Sequence, residues 1–215
     1  MEFIQTFIET SDTFLIGLKW TFLLTVVAIF IALFIGLFFA LLRISKIKPL
    51  VWIADLYIFV VRGTPLIVQI FIFYFGLTTF NISDFWAVVL GLAFHNGAYI
   101  AEIFRGAIQS IDRGQMEAGR SLGMSISLTM RRIILPQAFR RALPPLGNQF
   151  IIALKDSSLA SFIGMFELFS VATTLGSSSF DSMTYLLIVS IYYLVLVFIL
   201  STVVRVLENK LAVSD

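Results

Sequence analysis

Five side chains that carry or exchange charge stand inside long apolar stretches: Arg62, His95, Glu102, Lys155 and Asp156. A charge at mid-bilayer costs at least ~2.5–3.5 kcal/mol, so each needs a partner or a wet path. On a helix Glu102 shares a face with Ala98, Tyr99 and His95. There it can accept an ammonium or guanidinium, or it can pair with Arg105 or Arg62. Lys155 and Asp156 are adjacent and so point about 100° apart. With Ser157 and Ser158 they can bind a zwitterion or gate a path; alternatively they form interhelical pairs that fix packing. Asn96 adds an amide that can replace part of a solute's hydration shell.

Other chemistries lack their residues. There is no cysteine, which excludes disulfides and thiolate metal ligands, and there is one histidine, read as a satisfied buried imidazole. No metal site is expected. The sequence has no His-Glu-x-x-His, and an intramembrane hydrolase would have only His95 to work with. It also has no Gly-x-x-x-x-Gly-Lys-Ser/Thr loop, so this chain cannot cradle ATP phosphates by that route.

The elements that must position these residues are membrane helices. The 215 residues are 59% hydrophobic and 13% charged, with 23 phenylalanines and a mean hydropathy of +0.99. A soluble domain carries about 25% charged residues. So apolar a chain must use lipid as solvent for much of its outer face. Trp20–Leu42 and Met183–Val204 are uncharged throughout and exceed the ~20 residues that cross a bilayer. Three further stretches carry internal polar residues. The spacing predicts five spans, near 14–42, 56–80, 85–104, 142–166 and 183–204, in a single domain covering 1–215, with Pro65 beside Gly63 kinking the second. Arg62 is read as structural or gating, and Ser177–Ser179 as outer loop.

Twelve of the fifteen basic residues fall in 42–50, 105–141 and the tail after 204, whereas 1–12, 77–84 and 168–182 have none. The positive-inside rule then predicts the N-terminus outside and the C-terminus in the cytoplasm. The first twelve residues lack the basic start of a secretory signal.

The longest non-membrane segment, 105–141, is too short for an enzyme domain. It reads as a short helix stopped by Gly123, then a second helix over 125–135 that Pro136 ends or kinks. On periodicity alone these are amphipathic surface helices. Their spacing, however, resembles the signature of ATP-binding-cassette importer permeases: Glu-Ala-Ala, three residues, Gly, nine residues, Ile, one residue, Leu-Pro. Glu117, Ala118, Gly123, Ile133, Leu135 and Pro136 fall in place, and Gly119 replaces the second Ala. That replacement loosens a helix by up to ~1 kcal/mol. Arg62-Gly63-Thr64-Pro65-Leu66, Asn96 to Glu102, Arg105-Gly106 and Lys155 to Leu159 resemble the polar amino-acid branch of the same class.

The resemblance implies an all-α permease of the type I importer architecture in a bacterial cytoplasmic (inner) membrane. It implies that residues 114–136 form a coupling helix docked on a cytoplasmic ATP-binding subunit in two copies, which holds ATP and Mg. This chain would bind no cofactor and catalyse nothing. Further partners are a second permease chain, identical or a sister, an extracytoplasmic amino-acid-binding protein and lipid; no nucleic acid is expected. Substrate would pass between the third and fourth spans along Asn96, Tyr99, Glu102, Lys155, Asp156, Ser157 and Ser158. An ion-gradient-driven carrier is the competing reading, but such carriers commonly have internal repeats and more spans.

Overall fold

The computed structural model describes residues 2–76 and 81–211, and all its regular elements there are helical. The longest is α1, Glu2–Ile44, whose 43 residues extend about 65 Å at 1.5 Å per residue. Its buried residues recur every three to four positions as small side chains: Thr21, Thr25, Ala28, Ala32, Gly36 and Ala40. Without a hydrophobic drive between helices in lipid, such a stripe lets backbones approach and gain dispersion contacts. The stripe faces α4, Asp84–Gln109. A Cβ on Gly36 would lie 2.4 Å from Ile100 Cγ2, and one on Gly97 would lie 2.6 Å from Ile35 Cγ2. Glycine is required at both by close approach. Tyr57 closes the same layer, stacking on Phe39 and donating to the Phe94 carbonyl at 2.7 Å.

The expected second span is not one kinked helix. Helices α2, Lys48–Gly63, and α3, Leu66–Gly76, meet at 104°. Thr64 is extended, as a residue before proline must be, and Pro65 has no N–H to continue the ladder. The freed carbonyls find a side chain instead: Gln69 Nε2 donates to Val61 O at 2.8 Å and to Thr64 O at 3.2 Å. The last residues of that expected span, 77–80, lie outside the described residues.

The expected fourth span also differs. Two short helices, α5 at Arg113–Ser121 and α6 at Ile126–Thr129, precede it. A π turn over Met130–Ile134 then runs straight into α7, Leu135–Asp156. Pro136 therefore neither ends nor visibly kinks the loop helix. It occupies the first turn of α7, where its missing N–H costs least. The wide turn before it gives the ring room, and Gln137 Nε2 takes the Ile133 carbonyl at 2.9 Å. After α7 the chain tightens into a 3-10 turn over Ser157–Ile163 and breaks at Gly164, which has φ of 80°. It continues as α8, Leu168–Ser179, bent 47° from the preceding stretch. Ser177–Ser179 are thus the last turn of a helix rather than a loop. Helix α9, Ser182–Leu211, completes the fold. Among the described residues three helices, α1, α4 and α9, are long and apolar enough to cross a membrane; five crossings result if each bent pair counts as one.

Candidate transport site and docking loop

Four of the expected path residues line two separate cavities, Tyr99 and Glu102 the first and Lys155 and Ser158 the second, whereas Asn96, Asp156 and Ser157 line neither. A seam lies where α4 meets α7. Asn96, fully buried, donates to Leu92 O at 2.8 Å and accepts from Gln149 Nε2 at 2.7 Å. Its amide is therefore committed to holding two helices together. Ser157 is likewise buried, with its hydroxyl on Leu154 O at 2.7 Å. At this level the third and fourth expected spans are tied together by the Asn96–Gln149 hydrogen bond.

The first cavity, about 500 Å³, lies at the ends of α1, α2 and α4, with Arg43, Asp55, Arg62, Tyr99 and Glu102 on its walls. Glu102 pairs there with two arginines. Arg105 Nη2 donates to it at 2.7 Å, the i+3 partner expected from sequence, and Arg43 is in direct ionic contact with the other oxygen. Arg43 also reaches Asp55 at 2.7 Å. Arg62 does not pair with Glu102; its guanidinium lies 5.2 Å from the Tyr99 ring centre, a cation–π contact. Two carboxylates and three guanidiniums line or adjoin one hollow, which suits a solute bearing both signs of charge. Beside it, His95 Nδ1 meets Gln69 Oε1 at 3.2 Å. Because Gln69 Nε2 already donates to backbone carbonyls, its Oε1 is the free end and His95 Nδ1 carries the proton.

The second cavity, also about 500 Å³, is an open groove between α7 and α9 with Lys155 and Ser158 on one wall. Asp156 is half-buried and does not line it. Behind the groove lies Glu167, fully buried, which neither composition nor spacing singled out. Its signal was a carboxylate directly before an apolar helical run, the position of an N-cap. It accepts from Phe169 N at 2.8 Å and Ser170 N at 2.6 Å, capping α8. Arg43, Asp55, Gln69 and Gln149 were also missed; Arg43, Asp55 and Gln149 act through partners remote in sequence, and Gln69 joins the nearby break at Thr64 to His95, 26 positions away.

The loop residues 112–129 form a compact local structure. Asp112 Oδ1 accepts from Gly114 N at 2.6 Å and starts α5. At its end Met124 N donates to Gly119 O and Gly123 N to Arg120 O, with Gly123 at φ of 80°. This paired closure needs a left-handed residue, which is why glycine stands there. Ser125 caps α6 through Leu128 N at 3.2 Å. Gly119 is buried, and a Cβ there would lie 2.6 Å from Thr129 Cγ2. The departure from the signature thus seats α5 on α6. Glu117, Ala118 and Leu122 point outward, Leu122 being 82% exposed. Ile133 is half-buried, whereas Leu135 and Pro136 are exposed.

A helical bundle with broken spans, a small-residue seam and a rigid outward helix defines a recognisable architecture. The family of binding-protein-dependent transport system inner membrane components matches residues 28–213. The chain belongs to this family. Among its relatives, the L-cystine transport system permease protein TcyB of Bacillus subtilis (strain 168) is 40% identical over 198 residues, covering 91% of this chain and 85% of that protein. The arginine transport system permease protein ArtQ of the same organism is 38% identical over 202 residues, covering 93% and 92%. A crystal structure of an amino acid ABC transporter with histidines superposes with a TM-score of 0.92 at 40% identity, over 98% of this chain and 99% of that one. Membership makes the chain a multi-pass inner-membrane transport component rather than a catalytic subunit.

Proposed function

We propose that this chain is the permease subunit of an ATP-driven importer that carries a polar amino acid across the bacterial inner membrane. The observation that carries the reading is the loop helix α5, fixed by caps at both ends and presenting Glu117, Ala118 and Leu122 uncovered among the described residues. A rigid exposed helix with small, acidic and apolar residues suits insertion into a cleft of a separate ATPase subunit, with ATP and Mg held there. Relatives named as cystine and arginine permeases support a polar amino acid as cargo. The charged cavity around Glu102 and the Lys155 groove supply both signs that a zwitterion requires.

The working assembly is two permease chains on two ATPase subunits, with an amino-acid-binding protein delivering substrate at the outer face. Two-fold pairing is the commonest closed arrangement. The single domain spans the membrane five times, with each bent pair as one crossing, the N-terminus outside and the C-terminus in the cytoplasm. The basic residues of 105–141 favour that orientation.

The test is reconstitution in liposomes with the candidate ATPase and binding protein, screening amino acids for stimulated ATP hydrolysis and uptake. A small set of polar amino acids should stimulate both. Uptake that follows an imposed ion gradient and ignores ATP would support the carrier reading instead.

A further inference from the structure

Arg62 differs from the other arginines around the first cavity. Arg43 and Arg105 are held by carboxylates, whereas Arg62 forms no ion pair among the described residues and rests against the Tyr99 ring. By the backbone ladder alone it is no better secured. It stands in the last turn of α2, where Pro65 lacks the N–H that would close on Val61 O. Packing gives no help: residues 62–65 are exposed, and a Cβ on Gly63 would meet nothing within 4 Å. A turn so placed frays unless a side chain holds it.

Gln69 supplies the missing bond. It is buried in the first turn of α3 and donates one Nε2 hydrogen to Val61 O at 2.8 Å. The other meets Thr64 Oγ1 at 2.8 Å, with Thr64 O at 3.2 Å. Thr64 Oγ1 can accept because its own proton goes to Val60 O at 2.9 Å. The amide must keep this orientation, since the flipped one would set its oxygen against carbonyls. His95 Nδ1, on Gln69 Oε1 at 3.2 Å, fixes it. The His95 ring also lies 5.1 Å from the ring of Tyr99, one turn further along α4, and this is the ring that Arg62 faces. The contacts therefore form a circuit: Arg62 to Tyr99, Tyr99 to His95, His95 to Gln69, and Gln69 to Val61, the neighbour of Arg62. Arg62 and Tyr99 line the cavity; Gln69 and His95 do not.

We propose that Gln69, oriented by His95, is a positioning residue for transport: it holds the last turn of α2 so that the Arg62 guanidinium stays against Tyr99 as a fixed positive charge on the cavity wall. The proposal rests on the importer reading given above and adds to it two residues that need never touch the solute. Their effect reaches the cavity through Arg62. With the clamp gone the turn opens, the cation–π contact is lost, and the wall no longer presents its charge in one place.

Two variants open the clamp from its two sides. Gln69→Met keeps length and volume without a hydrogen bond. His95→Phe keeps a ring beside Tyr99 but has no donor for Gln69. The chain has no cysteine, so a nitroxide on Gly63→Cys reports this turn alone, in the full chain in liposomes and without any transport. Its mobile population should rise about threefold to tenfold in both variants, the range for one hydrogen bond. In the complex reconstituted with ATPase and binding protein, each variant should lower the maximal uptake rate about threefold to tenfold. Arg62→Ala should lower it further. Gln69→Met added to Arg62→Ala should bring no further loss, because the clamp then has nothing to position. Half-saturation by loaded binding protein and co-purification of the ATPase should stay at wild-type values. Uptake at the wild-type rate in Gln69→Met or in Arg62→Ala overturns the proposal. So does an unchanged nitroxide spectrum, or a double variant whose losses multiply, which is the mark of a structural role independent of Arg62. A wild-type complex stimulated by no amino acid fails the importer reading first; the role in transport falls with it, and the nitroxide still shows whether the clamp holds the turn.

Discussion

The loop over 112–129 and the α4 seam are built on opposite plans. In the loop, hydrogen bonds join residues two to five apart: Asp112 with Gly114, Gly119 with Met124, Ser125 with Leu128. In the seam, Asn96 meets Gln149, Tyr57 meets the Phe94 carbonyl and Gln69 meets His95, at separations of 53, 37 and 26 residues. The loop holds its shape by turn chemistry and leaves Glu117, Ala118 and Leu122 outward. The seam holds its shape by burying polar groups against one another and leaves few of them free. A local device can be exchanged between partners without disturbing the spans, whereas a seam residue cannot change without moving a helix.

The largest expected effect comes from breaking the seam sterically. In Gly36→Val the new side chain would meet Ile100 and the Ala101 backbone, the latter 3.1 Å from even a Cβ. Backbone cannot yield as a side-chain tip can, so α1 must move off α4. A cost of about 3 kcal/mol is expected, at the upper end for overpacking. Thermal unfolding of the detergent-solubilised chain should register it, and wild-type stability would show the seam to be softer than close packing implies.

Glu117→Lys should act on the opposite side of the comparison. Glu117 is exposed and makes no contact on which the fold depends. Unfolding should be unchanged, while co-purification with the ATPase falls tenfold or more and transport with it, because an inverted charge in a docked helix meets repulsion or goes unpaired. Normal co-purification and transport would make Glu117 a merely solvated residue.

This contrast also explains how much could be read in advance. The loop signature was legible because each of its residues answers a local demand: Gly123 supplies a left-handed cap, Ser125 a hydroxyl for α6. The long apolar helices α1 and α9 were legible by length. The 104° bend at Thr64–Pro65 was foreseen only as a kink, since its angle depends on Gln69 recovering two carbonyls. The break after Asp156 carried only weak local signs, Gly164 and the capping Glu167. Arg105 was identifiable as a partner of Glu102 from i+3 spacing, but Arg43, 59 positions away, was not. Nor could sequence divide Glu102 and Lys155 between two cavities, because that division depends on how α4 and α7 pack.

Gly119→Ala sharpens the comparison inside the loop. Helix propensity favours alanine by up to ~1 kcal/mol. Against this stands a Cβ placed 2.6 Å from Thr129 Cγ2 and 2.9 Å from its Oγ1, on a fully buried side chain. Contact should win, with a net loss of about 1 kcal/mol, at the low end of the cost of overpacking, and weakened ATPase binding. In Gly119→Ala combined with Thr129→Ala, the nearest remaining contact is Thr129 Cβ at 3.3 Å, and binding should recover. If the single change strengthens ATPase binding, propensity outweighs the contact.

The smallest effect on stability, and the most selective on function, is expected of Glu102→Gln. The ion pairs around Glu102 are half-exposed, with side-chain exposures of 21% for Glu102 and 27% and 29% for Arg43 and Arg105. Pairs so accessible to water contribute about 1 kcal/mol or less, so the fold should scarcely notice the change. The cavity should notice it more. Removing one of its two carboxylates leaves Asp55 alone against Arg43, Arg62 and Arg105, and a balance of charge that is already positive becomes more so. A cationic solute loses a counter-ion there, whereas a neutral zwitterion loses one contact of several. Uptake of arginine should therefore fall more than uptake of glutamine, by about threefold to tenfold in the ratio of initial rates, the range of one hydrogen bond to a charged group. Co-purification with the ATPase should be unchanged, because α5 is not in contact with Glu102. Equal rates in wild type and variant, with the two substrates in the same order, would assign Glu102 to the Arg43–Arg105 cluster as a structural tie and move the solute's path towards the Lys155 groove.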